Sequence, residues 1–369
     1  MSKIISAADI PALFLNDVPL LDVRAPVEFT RGALPASHNL PLLNDAERTA
    51  VGIAYKNAGQ QAAIALGNKL IAGEHQAERI SAWKQFFMEY PDAVLYCYRG
   101  GLRSEIVQQW LAEAGLEVPR IAGGYKRMRR ELLETIEHTA GFNNLLVVAG
   151  KTGSGKTHLI HVMQNSLDLE GLANHRGSAF GTRVQGQPTQ INFENAFAIA
   201  LLKLSKRKPR RLFVEDESRA IGSLALPQSL YVKMLEAPIA LLEESLEQRA
   251  DTILSDYILS NYLDFKNTHP HNYQTKFAEY LLSSLGKIRR RLGDENYLVL
   301  KSCMEQALRD DDKLEAHREW IHLLLQKYYD PMYEYQIGKK MSRVVFRGNR
   351  DELLRWASHL DVQLQAVNA

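Results

Sequence analysis

Two short stretches carry the side chains with most chemistry to offer, each between an apolar run and a helical pattern. The first is Tyr96-Cys97-Tyr98-Arg99-Gly100-Gly101-Leu102-Arg103-Ser104. It follows Ala93-Val94-Leu95-Tyr96, which suits a buried strand, and leads into Glu105 to Leu111, whose apolar residues recur at helical spacing. A cysteine at such a junction lies where several backbone N–H groups converge, and that nest, with Arg99 and Arg103 beside it, favours a thiolate. Cys97, Arg99 and Arg103 are therefore candidate catalytic residues. The competing reading, a small hydrophobe buried at a strand end, leaves the crowded glycines and arginines without a purpose.

The second stretch is Gly150-Lys151-Thr152-Gly153-Ser154-Gly155-Lys156-Thr157, a full G-x-x-x-x-G-K-T P-loop. The strand-like Asn144 to Ala149 precedes it, and His158 to Leu167 continues as a helix. Gly150, Gly153, Ser154 and Gly155 let the loop turn its N–H groups onto a phosphate, Lys156 adds a point charge, and Thr157 can ligate Mg²⁺. Arg211 to Ser218 reads as the companion strand, apolar and then acidic, and makes Asp216 the first choice for the magnesium carboxylate, with Glu215 next. Such a loop says that a phosphate is held; it does not distinguish ATP from another diphosphate.

The elements that position these stretches alternate. Leu20-Leu21-Asp22-Val23-Arg24 reads as a strand and its turn, residues 45 to 90 as helices that include Val51 to Ile71 and Ala77 to Tyr90, and Val118 to Tyr125 as a strand entering a double-glycine turn. That alternation predicts a small parallel α/β sheet. His175 to Gly181 and Gln187 to Gln190 read as a mobile loop over the phosphate site, Leu235 to Leu325 as mainly helical, Val344-Val345-Phe346 as a late strand and Asp351 to Leu360 as a last helix. The expected domains are 12–138, 144–265 and a mainly helical 266–369, with a boundary at 139–143.

Composition narrows the classes. The 369 residues are 46% hydrophobic and 24% charged, as in a soluble globular protein. No apolar run approaches the ~18 residues of a membrane span, and Met1 to Ser6 lack an apolar leader core, so a cytoplasmic location without membrane contact is expected. The two cysteines, Cys97 and Cys303, are far apart in sequence, which argues against a disulfide framework or zinc site. Net charge is only +2, yet the cations cluster at Lys126 to Arg130, Lys206 to Arg211, Lys287 to Arg291, and Lys339-Lys340 with Arg343, Arg347 and Arg350. Four such clusters favour a polyanionic partner.

Asp22-Val23-Arg24 with Pro26, Glu28 and Phe29, then Gly32, Pro35, Asn39 and Pro41, then Cys97 to Ser104 and Gly123-Gly124, together resemble a rhodanese domain. That resemblance implies a cysteine that carries sulfur or selenium. The chain departs from most sulfurtransferases of that family in enclosing five residues, not four, between Cys97 and Arg103. The longer loop resembles those of cell-cycle phosphatases and arsenate reductases, and implies room for a phosphate-bearing group.

A rhodanese-like domain ahead of a P-loop domain, together with His175-Arg176-Gly177-Ser178-Ala179-Phe180-Gly181 and Tyr328-Tyr329-Asp330-Pro331, resembles the bacterial tRNA 2-selenouridine synthases over nearly the whole chain. The implied fold is a rhodanese-like parallel-sheet domain, then a P-loop NTPase-like α/β domain with a helical extension. The implied substrate is the 2-thiolated wobble uridine of tRNAs for lysine, glutamate and glutamine. Geranyl diphosphate would alkylate the sulfur, and selenium from selenophosphate would then replace the S-geranyl group.

In this reading the P-loop holds geranyl diphosphate, with Thr157 and Asp216 on Mg²⁺. Cys97 carries selenium as a selenosulfide, or assists departure of the geranyl thiol, while Arg99 and Arg103 steer selenophosphate. The anticodon arm of tRNA is assigned to basic residues including Lys206, Arg207, Arg289 and Arg290, with Arg176 and Ser178 on a substrate loop. Tyr329 and Tyr333 line the geranyl pocket or stack the flipped base, with core packing expected for at least two of the four tyrosines between 328 and 335. Transient contact with a supplier of selenophosphate is a further implied partnership. The rival readings are an ATP-dependent sulfurtransferase or small-molecule kinase, a phosphatase-like enzyme, and a tRNA-binding adaptor.

Overall fold

The computed structural model describes residues 3–138, 144–207, 211–309 and 314–362. The expected boundary at 139–143, residues 208–210 of one basic cluster, and 363–369 lie outside the described residues. The chain divides into two compact units, one of 1–138 with 189–206, the other of 139–188 with 207–369.

Unit one is a parallel sheet of β1 (Ile4–Ile5), β2 (Leu20–Asp22), β3 (Ser37–Asn39), β4 (Val94–Tyr96) and β5 (Arg120–Ile121), in the order β1-β5-β4-β2-β3. Parallel strands need long crossovers, and the crossover helices cover the sheet. That is why β2 and β4 are buried at every residue. The two strands are neighbours in register, with Asp22 opposite Tyr96, so the turn after β2 and the Cys97 loop leave the sheet side by side.

Between β3 and β4 lie two helical segments, Asp45–Leu70 and Glu74–Glu89. The second buries Trp83, Phe86 and Phe87. The first folds back on itself at Gly59, whose φ of 80° is not helical. A Cβ placed on Gly67 would stand 3.9 Å from Val51 Cγ2, whereas a straight helix would hold those positions about 24 Å apart. One helical pattern in the sequence is thus a two-armed hairpin.

Helix Gln190–Lys206 also belongs to unit one. It buries Phe193, Phe197, Leu201 and Leu204, and packs on helices Gly124–His138 and Ile10–Leu15. Polar contacts set its register: Arg129 binds Asn195 at 2.8 Å, and the backbone of Ala33 pairs with Asn192 and Asn195 at 2.7 Å each. The expected 144–265 domain therefore gives up this helix.

Unit two holds a second parallel sheet, formed by β6 (Leu145–Gly150), β7 (Ser166–Leu167), β8 (Leu212–Glu215), β11 (Ile239–Leu242) and β12 (Val344–Gly348), in the order β12-β11-β6-β8-β7. A separate hairpin comprises β9 (Ala220–Ile221) and β10 (Leu224–Ala225). The helices after β11 close around Phe277, Leu281, Leu285, Met304 and Trp320. The chain then returns to the sheet as β12. Residue 265 falls within helix Ser260–Thr268, inside this one unit. No helix among the described residues is long and apolar enough to cross a membrane.

Candidate functional site

Cys97 follows β4 directly and is 3% exposed. Its Sγ lies 3.2 Å from Ser104 Oγ and 3.8 Å from the Gly101 carbonyl. Among the described residues, no backbone N–H from Tyr98 to Arg103 has a protein acceptor, which leaves six consecutive donors for an anion. The loop is braced from behind: Tyr125 and Lys126 N–H donate to the carbonyls of Cys97 and Tyr98 at 2.9 Å, and Arg120 donates to Gly100 O at 2.7 Å. Only glycine fits this brace. A Cβ at Gly124, φ 56°, would lie 2.2 Å from the Cys97 carbonyl, and one at Gly100, φ 64°, 2.4 Å from that of Ile121.

Cations around the thiol divide by their partners. Arg103 forms a two-pronged pair with Glu28, at 2.6 and 3.2 Å. Burial alone would lower the Arg103 pKa, but the bonds and charge of Glu28 outweigh it and the pKa is raised. Arg24 is buried against Asp22 at 2.7 Å, donates to Gly32 O, and lies 3.9 Å over the Tyr125 ring. Tyr96 completes the cluster by donating to Asp22 at 2.7 Å, and Asn39 ties down the carbonyls of Asp22 and Arg24. Arg99 is exposed and has no ion pair among the described residues, so it is the guanidinium free to meet an incoming anion.

In unit two the glycine-rich loop leaves the end of β6. Gly153 has φ 80°, and a Cβ there would lie 2.6 Å from Arg249 O; Gly155 has φ 81°. Lys156 Nζ donates to Gly150 O at 3.0 Å. Burial opposes the charge on Lys156, but Tyr333, Glu170, Glu217 and Asp216 outweigh it and its pKa is raised. The loop is fixed from the helical side: Arg249 donates to Thr152 O at 2.9 Å and is itself held by Asp330 at 2.6 and 3.1 Å. That gives Asp330, part of the Tyr328-to-Pro331 stretch, a positioning task.

Asp216 and Thr157 have different partners. Both Asp216 oxygens are taken by Lys340 Nζ at 2.7 Å, whereas Thr157 Oγ1 donates to Glu170 at 2.8 Å. The sequence reading missed Glu170, because the helical turn that carries it, Leu169–Leu172, is placed by Glu215 accepting the N–H groups of Leu169 and Glu170 at 2.8 and 3.0 Å. Hydroxyl and carboxylate oxygens are hard donors of the kind Mg²⁺ takes, and they fit that ion. No cluster of three or more His, Cys, Asp or Glu among the described residues could hold a metal by itself.

Burial, then the charges of Glu170 and Asp168, push the Glu215 carboxyl up to about 8, and burial also raises Glu217. Between the unperturbed 4.5 and about 8 the folded state keeps a proton that the unfolded state has lost, so stability falls as pH rises through that window. Glu215→Gln keeps an acceptor and cannot ionise. It should therefore melt higher than wild type at pH 8.5, by a gap that shrinks towards pH 5, at about 2–4 °C per kcal/mol for a unit of this size. A gap independent of pH in calorimetry would refute the shifted carboxyl.

The remaining sequence candidates fall in several environments. Arg176 is turned inward, bonded to Asn261 at 3.1 Å and lying 5.0 Å from the Tyr257 ring. Ser178 stands with Thr152, Tyr257 and Tyr329 around a small internal void. Tyr329 is buried and Tyr328 and Tyr333 pack on the helical core, while Tyr335 is 66% exposed. Tyr333 also comes 5.9 Å from Lys156 Nζ. Lys206 and Arg290 are exposed, Arg207 donates to Gln164 O, and Arg289 pairs with Asp294 at 2.7 Å.

A family model described as the tRNA 2-selenouridine synthase AAA domain matches residues 143–363. The tRNA 2-selenouridine synthase of Shewanella piezotolerans is 47% identical over 358 residues, covering 96% of this chain and 98% of its own. That of Bordetella petrii is 49% identical over 349 residues, covering 93% of each, and that of a Pseudomonas fluorescens strain 48% over 353, covering 95% and 97%. A solved structure, the N-terminal domain of a putative ATP/GTP binding protein from Clostridium difficile 630, is 30% identical with a TM-score of 0.31, over 36% of this chain and 99% of its own.

Proposed function

The chain belongs to the tRNA 2-selenouridine synthase family, and from that premise we propose that it turns the 2-thiouridine at the wobble position of tRNAs for lysine, glutamate and glutamine into 2-selenouridine, through an S-geranyl intermediate. The observation that carries this reading is a chain with two separate anion cradles, each at the carboxyl end of a parallel sheet, one built around a thiol and the other around a lysine.

In the first step the thiocarbonyl sulfur attacks the allylic carbon of geranyl diphosphate, the carbon–oxygen bond breaks, diphosphate leaves with its electron pair, and the base gives up its N3 proton. The glycine-rich loop and Lys156 meet the growing negative charge, each well-placed donor contributing about 3 kcal/mol to the barrier. Bound Mg²⁺, held by Thr157 and Glu170, would supply further positive charge to the phosphate oxygens. Arg249 and Asp330 keep the loop in shape throughout.

The second step belongs to the rhodanese-like unit. Selenium of selenophosphate forms a bond to C2 as the C2–sulfur bond breaks, the geranyl thiolate leaves with the proton of the Cys97 thiol, and the proton of selenophosphate restores that thiol. Water then cleaves the phosphorus–selenium bond and releases inorganic phosphate. The open N–H groups from Tyr98 to Arg103 hold the phosphate part, Arg99 approaches it, and Arg103 is a positioning residue through Glu28. Alkylation makes the sulfur a better leaving group than a thiocarbonyl, which fixes the order of steps.

Mass spectrometry of wobble nucleosides from cells lacking the gene tests the reading. The expected result is loss of both 2-selenouridine and the geranylated nucleoside with 2-thiouridine retained. Persistence of 2-selenouridine would refute it.

A further inference from the structure

Cys97 forms part of the lining of a cavity of about 1140 Å³ that lies wholly within unit one. This exceeds what a selenophosphate-sized anion needs and lies just above the ~300–1,000 Å³ typical of small-molecule sites. Its walls are mostly apolar: Val51, Ile64 and Ile71 come from the folded-back segment, its two arms and the residue after them, and Ile106 and Trp110 from helix Leu102–Glu113. The charged groups that reach its inner end are already neutralised, Arg24 by Asp22 and Arg103 by Glu28. Other lining residues remain unneutralised: Arg31, Lys56 and Arg99 are exposed and have no ion pair among the described residues. Ile53 and Tyr55, also on the lining, are 56% and 60% exposed. A largely apolar cavity with a thiol in its lining and unpaired cations beside it suits an apolar chain attached to a polyanion.

We propose that this cavity seats the geranyl chain of the alkylated base, with the thioether sulfur at Cys97, the chain along the helical hairpin, Arg31 and Lys56 on the neighbouring RNA phosphates, and Arg99 left for selenophosphate. The proposal rests on the two-step reading above and deepens it. The chain of the intermediate is recognised in the unit that removes it, independently of how the chain of the diphosphate donor is held, and the same contacts shut water out from the thiol while selenium enters.

The test uses the full chain, selenophosphate, and anticodon stem-loops whose 2-thiouridine sulfur carries methyl, dimethylallyl or geranyl. Selenation kcat/KM is expected to rise about tenfold or more from methyl to geranyl, chiefly through KM, because each added methylene finds apolar wall. Ile64→Trp, which fills the chamber from the hairpin side, should bring the geranyl-to-methyl ratio close to one.

A second measurement needs no variant. The S-geranyl stem-loop should slow alkylation of Cys97 by iodoacetamide about tenfold more than the S-methyl stem-loop does at equal concentration. Equal kcat/KM for all three chains in the wild-type protein, or equal protection of Cys97, would overturn the proposal while leaving the two-step reading intact. A wild-type protein that selenates the unalkylated 2-thiouridine stem-loop and none of the alkylated ones would overturn both.

Discussion

Cys97→Ser is expected to abolish selenation, with a fall on the order of 10³ or more, while geranylation of the same tRNA stays within about twofold of wild type. The substitution is small and keeps the site's geometry. A hydroxyl at position 97 can still exchange a hydrogen bond with Ser104, which lies 3.2 Å from the sulfur. The brace from Tyr125, Lys126 and Arg120 acts on backbone atoms that the substitution does not touch. What changes is the chemistry: serine ionises far less readily than a thiol and is a poor partner for selenium or a departing thiolate.

Nucleoside mass spectrometry after incubation with both co-substrates reads the two products separately, and accumulation of the S-geranyl nucleoside is the expected signature. If both products vanished from a variant that melts like wild type, Cys97 would serve a step common to both reactions, and the division of labour between the units would be wrong. Wild-type protein treated with selenophosphate alone is expected to hold no selenium on Cys97 after desalting, because a sulfur–selenium bond would need a two-electron oxidant that neither the thiol nor selenophosphate supplies; selenium retained on Cys97 would refute its role as the group that assists the leaving thiol.

The parts of this molecule that were legible in its sequence are those governed by local rules. Gly100, Gly124, Gly153 and Gly155 all have positive φ, and glycine-rich turns between a strand and a helix announce such backbones directly. The late strand Val344 to Phe346 could also be read, as an apolar run. Its pairing with β11 could not, since a parallel neighbour carries no mark in the strand itself.

Allegiance between distant segments was equally hidden. Helix Gln190–Lys206 joins unit one because Asn195 meets Arg129 and Ala33, contacts between positions more than sixty residues apart in the chain. The hairpin at Gly59 passed for one helix because an isolated glycine within a helical pattern is ambiguous. Arg176 read as part of a mobile substrate loop, yet Asn261 and Tyr257 arrive from the helical region to bury it. Glu170 was overlooked for the same reason: its approach to Thr157 is set by Glu215 on another strand.

Lys156→Ala should lower geranylation by about 10²–10³, the cost of one preorganised donor to developing charge, yet leave selenation of a tRNA already carrying S-geranyl within about twofold. The lysine stands at the centre of an acidic surround of Glu170, Glu217 and Asp216, whose combined field keeps it protonated despite burial. Its contact with Gly150 O lies at the mouth of the loop, where a diphosphate would displace the carbonyl as its partner. Removal therefore acts twice, by withdrawing a cation from the leaving group and by leaving the carboxylates to repel it.

The second effect gives an independent handle. Lys156→Arg restores charge without the same reach, and should recover part of the affinity for diphosphate but little of the rate. Rates measured with geranyl diphosphate at saturation separate the two effects, and melting temperatures exclude collapse of unit two. Full geranylation by Lys156→Ala at every concentration of donor would mean that the diphosphate is held elsewhere, and the glycine-rich loop would then have to be assigned to a different phosphate, a nucleotide first of all.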